Sequence, residues 1–205
     1  MPPKPKFTRE EVIDAALSLI SEEGIGALTT RSLGQRLGSS ARPIFTVFKN
    51  MEELTDAVRA AAMTRYEACI REAEHSTPVF KQYGLRMLLF ARDCPKLFQF
   101  LFMREHRGAT RFEDVFVSLG STAPLCIDVL RRDYAMSETE ARTLFQQVWI
   151  YTYGLAVLCA SGMCRFSEQE LSQMLSREFS AVMYQLHRGD ADLPALFAPL
   201  GKANT

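Results

Sequence analysis

Residues 24–51 read Gly-Ile-Gly-Ala-Leu-Thr-Thr-Arg-Ser-Leu-Gly-Gln-Arg-Leu-Gly-Ser-Ser-Ala-Arg-Pro-Ile-Phe-Thr-Val-Phe-Lys-Asn-Met. Thr29 or Thr30 suits the N-cap of a short helix that holds Leu33 and Leu37 and stops at Gly38. Ser39 or Ser40 opens a second one, expected from Ser40 to about Val47, with Pro43 in its first turn, where a missing amide costs little. Two short capped helices around one tight turn make a helix-turn-helix. The stretch carries four basic residues, Arg31, Arg36, Arg42 and Lys49, and no acidic one. A compact, acid-free positive surface of this kind suits a duplex of phosphates better than a small substrate.

In such a motif the second helix enters the major groove with its first residues toward the base edges. Arg42 lies there, able to fork onto a guanine or clamp a phosphate. Thr30 and Arg31 start the preceding helix and suit a backbone phosphate, with Arg31 in reach of a base. Ser40 and Thr46 offer hydroxyls to phosphate, and Lys49 follows the recognition helix at a position for backbone contact. The plainer alternative is a small solvated three-helix head whose cations only aid solubility.

Outside this stretch the charge balances, 24 basic against 24 acidic residues in 205, so only its local distribution points to nucleic acid. Residues 10–23 hold five acids and no base, which sets an acidic neighbour beside the basic patch. The N-terminal Met-Pro-Pro-Lys-Pro-Lys has no apolar run after it and does not read as a signal peptide. Cys69, Cys94, Cys126, Cys159 and Cys164 show no metal or CxxC spacing; they read as reduced thiols of a cytoplasmic protein, with a redox sensor as the variant reading. Val148 to Cys164 is uncharged over seventeen residues, near the lower limit for a membrane span, but its polar and small residues favour a buried interface helix.

Strand signals are almost absent, so the expected class is all-α, with about nine helices. Thr8-Arg-Glu-Glu11 is a capping box, and Gly24 stops the helix it opens. Asn50 caps a long helix to about Glu74. Ser76-Thr-Pro78 opens another to Asp93, and Pro95 a short one to Phe102. A helix from Phe112 is expected to break near Gly120 and Pro124 and continue to Tyr134. Ser137-Glu-Thr-Glu140 and Ser167-Glu-Gln-Glu170 cap the last two helices.

In the first of these, Leu144, Val148, Tyr151, Leu155 and Leu158 alternate steps of four and three, a coiled-coil-like seam. Leu175, Phe179 and Val182 lie on the apolar stripe of the second. The two stripes are expected to pair with a second copy in a four-helix interface, with burial inside one chain as the alternative. Aromatic and Met residues are frequent between the head and these helices. Tyr83, Met87, Phe90, Phe98, Phe102, Trp149 and Tyr153 are candidates to line an apolar cavity, with Arg104, Arg86 or His106 to orient a ligand.

Residues 8–58 resemble the N-terminal domain of the tetracycline-repressor (TetR) family. The resemblance rests on Ala15-Ala-Leu-x-Leu-Ile-x-Glu-Glu-Gly24, Leu28-Thr-Thr-Arg31, Leu33, Leu37-Gly38, Ile44-Phe45, Phe48 and Glu52-Glu53-Leu54. It implies that Thr30, Arg31, Ser40, Arg42, Phe45, Thr46 and Lys49 stand where the family touches DNA. Phe45 departs from a usual Tyr, Gly34 from a usual Ala and Met51 from a common Lys. The resemblance also implies a helical ligand-binding and dimerisation domain, with residues 1–50 as the DNA-binding domain, 51–189 as the body and 190–205 as a weakly ordered tail. The implied function is a homodimeric repressor released from a palindromic operator by a small molecule, with no cofactor, no metal and no membrane partner. No nucleophile–base pattern, metal spacing or phosphate loop supports an enzyme. A TetR-like protein that has lost DNA binding and acts through protein partners is the further alternative.

Overall fold

A computed structural model describes residues 6–104, 111, 112, 114, 115 and 119–188. Among them, regular structure is helical throughout: α1 Arg9–Glu23, α2 Thr30–Arg36, α3 Met51–Arg71, α4 Val79–Asp93, α5 Pro95–Phe102, α6 Thr122–Asp133, α7 Glu138–Ala160 and α8 Glu168–Arg188. Short 3-10 turns lie at Ile25–Ala27, Ile44–Thr46 and Glu72–His75.

The helix starts follow local side-chain chemistry. Thr8 Oγ1 accepts from the Glu11 amide while the Glu11 carboxylate accepts from the Thr8 amide, so two orphan donors are satisfied reciprocally. Thr29 caps α2 in the same way, with Ser32 as its return partner. Asn50 Oδ1 accepts from the Glu53 amide at the start of α3, and Ser137 and Ser167 open α7 and α8 through Glu140 and Glu170. Gly24 ends α1 at φ +91°, a conformation that L side chains rarely adopt.

Two expected elements differ. The second helix of the helix-turn-helix is not an α-helix from Ser40 to Val47. It is a turn leading into a single 3-10 turn, with Pro43 before its first residue and no side-chain cap from Ser39 or Ser40. Pro43 offers no amide, and the burial of both Ile44 and Phe48 draws the chain inward over a span too short for two α-turns. The expected break falls at Gly120, at φ +58° in the turn before α6, and only Pro124 differs in place, lying already in the first turn of that helix. The expected stretch from Phe112 to Gly120, His106 and the tail from residue 190 lie wholly or largely outside the described residues.

The head closes on Val12, Leu17, Ile20, Leu33, Ile44 and Leu54, all essentially without solvent contact. α3 then leaves the head and presents Leu54, Val58, Ala62, Tyr66 and Ile70, one side chain per turn, to α1, α4 and α5. In the body, α4 lies against α6, α7 and α8, and α7 packs against α8, α6 and α5. No described helix is long and apolar enough to cross a membrane.

Candidate nucleic-acid interface and interior cavity

The electrostatics of the head turn on how its arginines are paired. Arg9 donates to Glu53 Oε1 at 2.9 Å and to the Val47 carbonyl at 3.0 Å, and its guanidinium lies 4.1 Å from the Phe48 ring centre. It bolts α1 to the end of the recognition turn and the start of α3. Arg36 holds Glu22 through two hydrogen bonds of 2.8 and 2.6 Å and reaches Ser18 at 2.9 Å. Arg59 pairs with Asp56 at 2.7 Å, and Arg65 with Asp14 at 2.9 Å. The acidic stretch of α1 is thus answered by arginines of α2 and α3.

Arg31, Arg42 and Lys49 remain. All three are exposed, and none forms an ion pair among the described residues. Ser40 and Thr46 are exposed as well, and so is Phe45, at 41 %; Thr30 is half-buried at the start of α2. The Thr46 hydroxyl donates to the Pro43 carbonyl at 2.6 Å. Ile44, next but one to Arg42, points the other way and is fully buried. Among residues that sequence reasoning did not assign, Lys6 Nζ donates to Ser39 Oγ at 3.0 Å, which carries a fourth cation onto the turn before Arg42. The signal was present in the basic N-terminal run, but not the fold-back that places it.

Gly34 has a structural role that composition hid. A methyl group there would lie 2.9 Å from the Ser39 carbonyl oxygen and 3.2 Å from the Ala41 amide nitrogen. The turn crosses directly over α2, and the Ser39 amide donates to the Gly34 carbonyl at 2.8 Å. Gly34, which departs from the usual Ala, is what permits that crossing.

In the body, α3, α4, α6, α7 and α8 enclose a cavity of about 170 Å³. Of the expected lining residues, Tyr83, Met87 and Trp149 line it. Phe90, Phe98, Phe102 and Tyr153 do not; they form an aromatic row behind it. Tyr66, itself in the cavity wall, sits edge-on to Phe90 at 5.3 Å and to Phe102 at 4.9 Å; Phe102 packs on Phe98, and the Tyr153 hydroxyl donates to the Phe102 carbonyl at 2.9 Å. Arg104 is exposed and away from the cavity, and Arg86 faces Glu72 at 3.9 Å. The lining that sequence reasoning missed includes Tyr66, Thr122, Thr152 and Phe179, gathered from four helices with no local pattern to join them.

Burial pushes the Tyr66 phenol far up, so it stays protonated and neutral. Thr152 Oγ1 donates to the Val148 carbonyl at 2.7 Å. Thr122 is 7 % exposed, and its side-chain oxygen has no hydrogen-bond partner of normal geometry. It stands near enough to the Tyr66 phenol to oppose the effect of burial slightly, yet the two hydroxyls do not close a bond. Burial also raises the thiols of Cys69, Cys94, Cys126 and Cys159, which disfavours the thiolate that a sensor needs. No cluster of potential metal ligands occurs among the described residues.

The expected pairing stripe is largely turned inward. Leu144, Val148, Leu155, Leu175 and Val182 are buried in the chain's own core, Phe179 stands half-buried at the cavity, and Tyr151 and Leu158 are partly open. The outward apolar surface is instead Ile150 and Tyr184, 50 and 60 % exposed, with exposed Gly154 and half-buried Val157 along the same side of α7.

Comparison with known proteins bears on the head and the fold separately. Residues 12–58 match the sequence profile of the bacterial regulatory proteins, tetR family. The tetracycline repressor protein class D of Escherichia coli is 43 % identical over 61 residues, 30 % of this chain and 28 % of that protein, so the match spans less than a third of the curated relative. Among solved structures, a transcriptional regulator of the TerR/AcrR family from Aquifex aeolicus VF5 superposes with a TM-score of 0.59 over 86 % of this chain and 99 % of that one, at 15 % identity. A single-substitution variant of TetR from Acinetobacter baumannii AYE, in complex with minocycline, gives 0.55 over 89 and 98 %, at 20 % identity. These two likenesses establish the helical architecture of head and body. Over residues 12–58 the head is thus similar to the tetR family of bacterial regulatory proteins, and head and body together share the fold of these solved structures.

Proposed function

We propose that the protein is a homodimeric transcriptional repressor that binds a palindromic operator and is released by a small molecule. The observation that carries this reading is the sorting of cations in the head. Between residues 6 and 65, Arg9, Arg36, Arg59 and Arg65 are each tied to an acid, whereas Arg31, Arg42 and Lys49 form no ion pair among the described residues. Exposed cations left out of ion pairs fit phosphate neutralisation and base-edge recognition. The exposed Phe45 ring adds an apolar contact suited to a thymine methyl.

The outward strip of Ile150, Gly154, Val157 and Tyr184 is the surface offered to a second copy, because a two-fold pair would set two heads at half-sites. The cavity reaches the head through α3, which carries Tyr66 in the cavity wall and begins two residues after Lys49. Glu67 of the same helix accepts the Ser121 amide at 2.8 Å at the start of α6, beside Thr122. A ligand that favours one setting of α3 shifts head spacing by its differential affinity, typically ~1–3 kcal/mol of coupling.

The test is a band shift on the promoter region of the protein's own gene. Arg42→Ala with Lys49→Ala should weaken binding at least tenfold. It should also flatten the salt dependence, by a slope of about 1 for each phosphate no longer neutralised. Thermal unfolding of the double variant should be unchanged, since neither side chain is tied into an ion pair of the head. Unaltered affinity in the double variant removes this docking face.

A further inference from the structure

We propose that the 170 Å³ cavity takes a small, non-cationic, single-ring aromatic compound bearing one hydrogen-bonding group, and that Thr122 is the anchor for that group; as an effector class, this rests on the ligand-released reading above. Size is the first constraint. An apolar cavity of about 150 Å³ holds benzene, so this one matches a substituted ring and falls well short of a fused four-ring drug. Shape and surface give the second. Trp149, Tyr83, Phe80 and Phe179 supply ring faces and edges around the space, which suits an aromatic guest.

Charge gives the third constraint. No carboxylate lines the cavity among the described residues, and Lys81, half-buried, is the charged side chain of its wall. A cation entering would lose its hydration with nothing to replace it. The last constraint is the Thr122 hydroxyl. A buried hydroxyl with no partner is costly in a folded protein, and it is rare unless a ligand or water completes it. It stands in the cavity wall at the first residue of α6, where a guest can reach it. The Tyr66 phenol in the same wall, kept neutral by burial, completes a polar corner with Thr122.

Three probes of one shape isolate these terms: benzyl alcohol, ethylbenzene and the benzylammonium ion. Binding to the full chain is followed by calorimetry and by the emission of Trp149, the single tryptophan and a wall residue. Benzyl alcohol should bind saturably and shift Trp149 emission, and benzylammonium should bind at least tenfold more weakly. Thr122→Val keeps the side-chain shape and removes the hydroxyl. It should lower the affinity ratio of benzyl alcohol to ethylbenzene about three- to tenfold, the worth of one net hydrogen bond. Without ligand, the same variant should melt higher by about 2–4 °C, because an unsatisfied buried group is removed.

An unchanged ratio, or a variant that melts lower, overturns Thr122 as the anchor. Benzylammonium binding as well as the alcohol overturns the charge class, and minocycline displacing benzyl alcohol overturns the size class. Band shifts run separately distinguish this proposal from the broader reading. Benzyl alcohol bound as expected while the operator stays occupied counts for the site and against release by ligand.

Discussion

The head and the body carry their chemistry on opposite sides of the protein surface. In the head, the candidate residues face water, and each stands a few positions from a helix cap; its interior is plain aliphatic packing of Leu33, Ile44 and Leu54. In the body, the candidate residues face inward around a cavity, and they come from five helices spread over more than a hundred residues. The head therefore separates recognition from stability residue by residue, whereas in the body the same side chains must hold the fold and shape the site. Arg42 and Ile44, two positions apart, state the division most sharply: one is exposed and outside any described ion pair, the other fully buried.

The largest expected effect tests that division. Ile44→Ala removes a buried side chain from the head core and should cost about 2–5 kcal/mol in denaturant unfolding. DNA affinity should fall with it, through loss of the folded recognition turn. The Arg42 and Lys49 double substitution should do the converse, weakening binding at constant stability. If Ile44→Ala leaves unfolding unchanged while binding is lost, Ile44 faces the duplex and the division is wrong.

This division also explains what was legible from sequence. Caps are local, so Thr8, Thr29, Asn50, Ser137 and Ser167 marked their helices correctly. The exposed cations of the head were legible because charge keeps side chains at the surface, yet their pairing was not. That Arg36 serves Glu22 and Arg9 serves Glu53 depends on how α1, α2 and α3 cross, and spacing does not contain those crossings. In the body, steps of three and four in α7 read equally as a seam for a second copy or as burial within one chain. The presence of α4, α6 and α8 around α7 decides for burial of Leu144, Val148 and Leu155. The aromatic row failed in the same way: Phe98 and Phe102 belong to the right neighbourhood, but stand one layer behind the cavity wall.

A smaller effect sharpens the role of the crossing over α2. Gly34→Ala would by helix propensity alone stabilise the chain by about 0.5–1 kcal/mol. The added methyl, however, meets the Ser39 carbonyl at 2.9 Å, and backbone cannot turn aside as a flexible side chain can. Overpacking of this kind costs about 1–3 kcal/mol, so the net change should be destabilising by about 1 kcal/mol. Operator affinity should drop as well, because the displaced segment carries Ser40 and Arg42. A variant that melts higher and binds equally well would show that the turn yields freely.

The smallest effect concerns the acids that hold the head arginines away from the DNA face. The Arg36 guanidinium, helped by the Ser18 hydroxyl, pulls the Glu22 carboxyl from its usual 4.5 down to about 2. A carboxyl depressed in the folded state adds stability above its unfolded value, and that contribution fades as pH falls toward the folded value. The α1–α2 tie should thus be complete at about pH 6 and weaken progressively between about 4.5 and 2. Both partners are solvent-exposed, so the shift in melting temperature should be small and should shrink with added salt. Glu22→Gln should melt slightly below the parent at about pH 6, and the two curves should converge as pH approaches about 2. The substitution also frees Arg36 beside the recognition face, so operator affinity should rise modestly even as stability falls. Opposite signs in the two measurements would be the clearest mark that the head keeps structural and recognition cations apart; a fall in both would mean that Arg36 positions the interface as well as the core.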